Sequence, residues 1–271
     1  MKIPLIITFV AVALVSLTGH ANDDLQRYLP PDQVRWLNAD AGSGNDADSN
    51  TRYLALYKEP MASFPRGQIV SLPDWHLHPL QSNLIQGVYA DSPDLGWHSW
   101  ALVPPVLTIE RSQLATTQAN SVFPEVVDEA FFEPHREALK QRVQRLTREF
   151  DNEPGFTVWV VEGITAAIAV KLISAEPELM PDALVVIDLY LPQLQLNQAV
   201  SRQLAQLQLP VLDIISNSGN RWIKNAQPLR RQYSQKYQQV NYRQRQLLSN
   251  STLATAELRS TLKGWLKYHG F

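Results

Sequence analysis

His76 and His78 stand two residues apart in a segment that follows a short apolar run. A His-x-His spacing lets two imidazoles reach one metal ion from a loop or a strand. Glu162 and Asp188, at the ends of two further strand patterns, would complete a zinc site with neutral imidazoles and carboxylates. The plainer alternative is that Asp74 caps the following helix and the histidines make ordinary hydrogen bonds. Because histidine pairs at this spacing are common by chance, we expect no metal and no other cofactor.

The elements that position these residues alternate between strand patterns and helix patterns. Apolar runs at 157–161, 183–189 and 210–215 are typical of buried strands, and helical spacing of apolar residues follows at 164–173 and 196–207. Further strands are predicted at 52–58 (an edge strand by its alternation), 67–72, 96–104 and 240–247, and further helices at 78–89, 134–150, 226–237 and 258–266. Nearly continuous apolar strands that alternate with helices predict a mostly parallel sheet covered on both faces, a three-layer α/β domain.

The order of these segments is similar to that of known proteins. The segments that carry the likeness are LALYKEP, RGQIVSLPDWHLHPL, LGWHSWALVPP, DALVVIDLYLP, LPVLDIIS, LRRQYSQKYQQVNYRQRQL and LKGWL. With them the chain resembles an α/β-hydrolase fold, and more closely an uncharacterised family of exported bacterial α/β-hydrolase-like proteins, a domain of unknown function. The resemblance covers most of the chain from residue 52 onward. It implies a three-layer α/β-hydrolase-like fold with a mostly parallel central sheet, and it brings no established activity.

A working α/β-hydrolase carries its nucleophile on a sharp turn from a strand into a helix, between small residues. The corresponding turn here reads EGITAA over 162–167 and holds no serine. One frame puts Gly163 at the nucleophile position, which leaves no side chain to react. The other frame makes Thr165 the nucleophile, although a β-branched residue is poorly suited to the positive φ of such a turn. Gly163 adopts that backbone without strain, so we favour the first frame.

The acid and the histidine that would activate a nucleophile are also missing from their expected positions. In this fold the acid follows the nucleophile along the chain, and the histidine follows the acid. The segment after 210–215 reads SNSGN and holds Asn217 but no acid, and the segment after 240–247 holds no histidine. The later His269 lies two residues from the end of the sequence. A hydroxyl without a base is a poor nucleophile at neutral pH, so we predict a pseudo-hydrolase.

Two functions remain open from the sequence. The first is a non-catalytic α/β-hydrolase-like protein that binds a ligand or partner through the cleft at the strand ends or through a basic face. The second is an atypical ester or acyl hydrolase that uses Thr165, or a metal at His76 and His78. The candidate cleft residues are Asp74, His76, His78, Glu162, Gly163, Asp188 and Asn217.

Basic residues are concentrated in the last fifth of the chain. Residues 221–271 carry ten Lys or Arg and a single acid, Glu257, whereas the whole sequence has 24 basic and 26 acidic residues and a formal net charge of −2. The candidate basic face consists of Arg230, Arg231, Lys236, Arg243 and Arg245. These cations either solvate outer faces and pair with acidic residues elsewhere, or bind an anionic envelope component or an acidic periplasmic protein.

Composition and the N-terminal segment restrict the kind of protein and the cellular compartment in which we expect it. A chain of 271 residues that is 45% hydrophobic can bury a sizeable core, and the lack of cysteine excludes disulfides, thiolate metal sites and a Cys nucleophile. Lys2, the apolar run over 4–17 and the small residues up to Ala21 predict a secretory signal peptide cleaved after Ala21. We therefore expect a signal peptide at 1–21, a polar lead-in with a flexible loop at 22–50, and the domain at 51–271. In the periplasm the mature chain would have no transmembrane segment and no nucleic-acid partner.

Overall fold

The computed structural model describes residues 29–38, 52–105, 129–150, 153–217, 219–248 and 252–271. The strands are Val34–Asn38 (β1), Arg52–Lys58 (β2), Gly67–Leu72 (β3), His98–Leu102 (β4), Phe156–Glu162 (β5), Ala183–Ile187 (β6), Val211–Ile215 (β7) and Tyr242–Gln246 (β8). The α-helices are Asn83–Asp91 (α1), Glu133–Thr147 (α2), Gly163–Ala175 (α3), Leu194–Leu204 (α4), Arg221–Lys236 (α5) and Thr252–Tyr268 (α6). The predicted signal peptide 1–21 and residues 39–50 of the predicted polar lead-in lie outside the described residues.

The eight strands form one sheet in the order β1-β2-β4-β3-β5-β6-β7-β8. The β1–β2 and β2–β4 pairs are antiparallel, and every later pair is parallel. Because parallel strands need a crossover connection, helices follow the strands and cover both faces of the sheet. The predicted three-layer α/β-hydrolase-like fold with a mostly parallel sheet is confirmed.

Two apolar layers hold the helices on the sheet. On one face, side chains of α2, α3 and α4, such as Leu139, Ile168 and Val200, pack on the strands. On the other face, α1 and α6 do the same with Ile85 and Leu258. Helix α3 is buried almost all round, which fits its nearly continuous apolar sequence and its place between two other helices. In the described part of the chain, no helix combines the length and apolar character needed to cross a membrane.

The structure differs from the sequence-based prediction at the first strand. β1 lies inside the predicted polar lead-in 22–50 and pairs with β2, so the sheet begins upstream of the predicted domain start at 51. Strand β2 is therefore not an edge strand, because β1 and β4 flank it. Strand β1 packs against the core through the apolar side chains of Val34 and Leu37, which are buried.

Two helices begin at capping residues rather than at the predicted positions. Helix α1 begins at Asn83 and not at 78, because the Ser82 hydroxyl accepts a hydrogen bond from the Ile85 N–H at 3.3 Å. Helix α5 begins at Arg221 and not at 226, because the Asn220 side chain accepts hydrogen bonds from the N–H groups at 222 and 223.

Candidate functional site at the carboxyl ends of the strands

The turn from β5 into α3 has the backbone of a nucleophile elbow but no nucleophile. Gly163 begins α3 with a φ of 62°, a left-handed conformation that glycine adopts without strain. A side chain at this position would place its Cβ 2.2 Å from the Cγ atom of Asp74. The structure therefore supports the frame that puts Gly163 at the nucleophile position, and a neighbouring carboxyl group lies in the space of the missing side chain.

The carboxyl group of Asp74 is held there by backbone donors. Asp74 follows β3, and its Oδ1 atom accepts hydrogen bonds from the Ile164 N–H at 2.7 Å and from the Trp75 N–H at 2.9 Å. Burial raises the pKa of Asp74, and the hydrogen bonds from the backbone of Trp75 and Ile164 act in the opposite direction. Asp74 is thus a capping residue, as the plainer prediction had it, but it caps α3 and not the next helix along the chain.

These two donors are the ones that α/β-hydrolases use to stabilise an oxyanion. In that fold the hole is formed by the N–H of the residue after the nucleophile and by an N–H from the loop that follows β3. Ile164 is the residue after Gly163, and Trp75 lies in the loop after β3. Oδ1 of Asp74 therefore occupies the place at which a reacting carbonyl oxygen would bind.

Two further carboxyl groups end the neighbouring strands. Burial, together with the nearby charges of Asp74 and Asp188, raises the pKa of Glu162 to about 7, although a hydrogen bond with the Ser82 side chain opposes the shift. Burial also raises the pKa of Asp188, which follows β6. The structure brings Asp74, Glu162 and Asp188 together at the carboxyl ends of β3, β5 and β6, because parallel neighbouring strands end at the same edge of a sheet.

Asp188 is bonded to the residue that follows β7, where a hydrolase would carry its acid. Its carboxylate accepts hydrogen bonds from the N–H of Ser216 at 2.8 Å and from the Ser216 hydroxyl. Asp188 has a positive φ of 50°, which aspartate tolerates better than most side chains. The candidate Asn217 comes next in the chain and is exposed at the turn. The Asp188 carboxylate therefore links the end of β6 to the end of β7, and it already accepts hydrogen bonds there.

The alternative nucleophile, Thr165, is a buried residue of a helix. Thr165 lies inside the first turn of α3, and its side chain is fully buried. Its hydroxyl has no hydrogen-bond partner among the described residues, so no described imidazole activates it. His269 lies instead against the rings of Trp265 and Tyr268 at the end of α6. A β-branched residue is tolerated on the helical backbone at 165, whereas the left-handed turn position is taken by glycine.

The two histidines of the predicted metal site are placed differently from each other. The side chain of His76 is 63% exposed, and its Nδ1 atom lies 3.8 Å from the Asp74 carboxylate. The Nδ1 atom of His78 accepts a hydrogen bond from the Leu80 N–H at 3.2 Å, and burial lowers the pKa of His78 to about 4. The described ranges contain no group of three His, Cys, Asp or Glu side chains placed to hold one metal ion. The structure therefore gives the plainer role, ordinary hydrogen bonding, to His78.

The structure contradicts the assignment of Arg230 to the basic face. Its side chain is fully buried, and its Nε atom donates to the Asp213 carboxylate at 2.8 Å. The same carboxylate oxygen accepts hydrogen bonds from the Tyr242 hydroxyl at 2.6 Å and the Gln244 amide at 2.8 Å. This buried polar cluster, which the charge pattern of the sequence does not predict, fastens α5 to β7 and β8. Among the other predicted cations, Arg231 and those in the following segment are exposed.

Solved structures with this arrangement of strands and helices include several hydrolases. The esterase domain of a Rhodothermus marinus protein is 12% identical, with a TM-score of 0.55 over 87% of this chain and 97% of that chain. An alpha-beta serine hydrolase homologue from Coxiella burnetii is 10% identical, with a TM-score of 0.53 over 88% and 98% of the two chains. A Pyrococcus furiosus esterase is 9% identical, with a TM-score of 0.58 over 89% and 93%. At such identities the likeness shows the fold alone.

The sequence itself is similar to a family that has no assigned activity. No curated protein matches the chain. The sequence profile of a family described as protein of unknown function (DUF3530) matches residues 133–268, which is 136 of the 271 residues. The matched part includes the Gly163 turn, the buried Asp213 cluster and helix α6. The chain therefore belongs to the DUF3530 family of proteins of unknown function.

Proposed function

We propose that this protein is a non-catalytic member of the α/β-hydrolase fold that binds a ligand or a partner at the strand-end cleft. One observation carries the proposal: the carboxyl group of Asp74 fills the space of a nucleophile side chain, and its Oδ1 atom takes both N–H donors of the oxyanion hole. A substrate carbonyl would have to displace a carboxyl group held by two hydrogen bonds before it could be polarised.

The chemistry of acyl transfer supports the same conclusion. Attack on an ester needs a nucleophile, a base that takes its proton and a donor pair for the developing oxyanion. Gly163 provides no nucleophile, the Thr165 hydroxyl has no base bonded to it among the described residues, and Asp74 occupies the donor pair. Each of the three requirements fails for a separate physical reason, so a single substitution does not restore the reaction.

The proposal is tested with the purified protein and two reagents, a p-nitrophenyl ester series and a fluorophosphonate label. We expect turnover at the rate of the buffer and no label on the wild type or on Gly163→Ser, because the introduced hydroxyl would meet Asp74 and lack a base. The double variant Gly163→Ser/Asp74→Ala frees the donor pair and should still react slowly, since the segment after β8, where this fold carries its histidine, holds none. Turnover by the wild type that is lost in Thr165→Val would overturn the proposal and restore the hydrolase alternative.

We also propose that the protein acts after export, in the periplasm. The proposal rests on the signal-peptide pattern of residues 1–21 and on a cysteine-free composition, which suits an oxidising compartment. Expression of the full chain in a Gram-negative host, fractionation and N-terminal sequencing test it. We expect a periplasmic product that begins at Asn22, and a cytoplasmic product that retains Met1 would contradict the idea.

A further inference from the structure

The last strand of the sheet leaves one of its edges open to a partner. β8 pairs with β7 in parallel, and among the described residues no other strand pairs with it. The C=O of Asn241 and the N–H of Leu247 bond to β7 at 3.1 and 2.8 Å. The N–H of Tyr242 bonds to the C=O of Gln239 at 3.2 Å. Because strand backbone groups alternate in direction every residue, the C=O of Tyr242 and the N–H and C=O groups of Gln244 and Gln246 point away from β7. These groups form the free edge of β8.

Cations lie beside the free edge of β8, and three of them, Arg231, Arg243 and Arg245, line one groove. Arg231 and Lys236 lie in the last turns of α5, and Arg243 and Arg245 lie in β8 itself; all four are exposed. None of them makes an ion pair with a described residue. The acids nearest in the chain are already engaged, since Asp213 is bonded to Arg230 in the core and Glu257 accepts from the Leu248 N–H. The positive charge of the free edge is therefore left uncompensated by the described part of the fold.

A polar groove of about 550 Å³ runs between the end of α5 and β8 beside these cations. Its walls carry the side chains of Ser234, Gln235 and Gln238, and Val240, which is 90% exposed, lies at its rim. Amide and hydroxyl groups both donate and accept hydrogen bonds, so the groove suits a polar polypeptide. An edge strand with outward backbone groups binds an extended segment by strand addition, and flanking side chains select its sequence.

From this arrangement we propose that the free edge of β8 binds an extended acidic segment of another protein, which adds to the sheet as a ninth strand. Arg243 and Arg245 are two residues apart and so share one face of the sheet, which matches acidic residues at alternate positions of the added strand. The row of outward backbone groups favours a polypeptide over a lipid headgroup, because a headgroup cannot pair with alternating donors and acceptors. The proposal is independent of the Gly163 turn, since it concerns the edge of the sheet and not its carboxyl ends.

The test is fluorescence anisotropy of the full chain with a short labelled peptide of alternating glutamate and threonine. Two control peptides have the same length: one has glutamine in place of glutamate, and one keeps the glutamates but has N-methylated backbone amides at alternate residues. We expect the acidic peptide to bind and both controls to bind at least about tenfold more weakly, because one lacks the charge and the other cannot pair as a strand.

Protein variants separate the contribution of the edge from that of net charge. Arg243→Gln/Arg245→Gln should weaken peptide binding about tenfold, whereas Lys263→Gln/Lys267→Gln, an equal charge change on α6, should alter it less than about twofold. Gln246→Pro removes one outward N–H and spares the bonds to β7, so it should weaken binding without unfolding the chain. Circular dichroism checks the fold of each variant.

Several results would overturn the proposal. No binding of the acidic peptide, equal binding of the N-methylated peptide, or an equal effect of the α6 lysine pair would each reject strand addition at β8. Binding to phosphatidylglycerol vesicles that depends on Arg243 and Arg245, without binding of the peptide, would assign the same cations to a membrane surface instead.

Discussion

The occupied turn at Gly163 makes a quantitative prediction for a pair of substitutions. Asp74→Ala removes the acceptor of two N–H groups, which costs about 3 kcal/mol in the free energy of unfolding. Gly163→Ala introduces a left-handed alanine, which costs about 1 kcal/mol, and its Cβ drives the Asp74 carboxyl group away, which costs about 3 kcal/mol more. In the double variant the hydrogen bonds are lost only once. The two single losses sum to about 7 kcal/mol, the double loss is about 4 kcal/mol, and the coupling is about 3 kcal/mol.

Urea unfolding followed by tryptophan fluorescence measures all three losses, provided that the slope with denaturant is the same for each variant. Gly264→Ala is the matched control, because nothing lies within 4 Å of a Cβ at this position of α6. There alanine should stabilise the protein by about 0.5–1 kcal/mol, since it is the better helix former. If the losses of the two single variants added to that of the double variant within about 0.5 kcal/mol, Asp74 would not occupy the space at Gly163 and the reasoning would fail.

Three other predictions concern buried polar groups. Arg230→Met removes the buried cationic partner of Asp213 and should lower the free energy of unfolding by about 3–5 kcal/mol, measured with urea, whereas Arg231→Met on the surface should change it by less than about 0.5 kcal/mol. Glu162 binds its proton more tightly in the folded state, so wild-type stability should fall as pH rises from about 4.5 to about 7, and Glu162→Gln should flatten that fall. His135 is buried without a hydrogen-bond partner among the described residues, and burial lowers its pKa to about 4. The folded state therefore binds fewer protons than the unfolded state, and stability should fall as pH drops from about 6.5 to about 4. His135→Phe should remove this loss, and melting curves across the pH range check the sign of the effect for Glu162 and for His135.

The regular part of the fold could be predicted from the sequence because burial on both faces makes strands continuously apolar. Residues 157–161 and 183–189 show this pattern, and they correspond to β5 and β6 respectively. The strand β1 could not be predicted in the same way. Its buried residues Val34 and Leu37 are three apart, so the segment shows neither alternation nor an apolar run, and only its pairing with β2 defines it.

The error at Arg230 has a simple geometric cause. Arg230 and Arg231 are adjacent in sequence but about 100° apart around a helix. Trp222, Ala226, Arg230 and Ser234 are spaced by four residues, and all are buried, so they form the stripe of α5 that faces the sheet. In the sequence, an acidic residue within an apolar strand, Asp213, indicates that a cation on this stripe could have a buried partner. The charge pattern alone predicts the exposed cations and cannot separate Arg230 from them.

The sequence indicated the glycine of the turn but not the aspartate that fills it, and the reason is the order of the strands. Asp74 and Gly163 are 89 residues apart, and they meet because β3 and β5 are neighbours while β4, between them in the chain, lies on the other side of β3. The two residues also depend on each other physically. The N–H groups of Ile164 and Trp75 converge on one point and need an acceptor when buried, and a carboxylate near a helix N-terminus satisfies both. That carboxylate fits only where residue 163 has no Cβ, so the aspartate requires the glycine, and the glycine removes the nucleophile. The same pair of residues that stabilises the turn thereby accounts for the absence of a nucleophile from it.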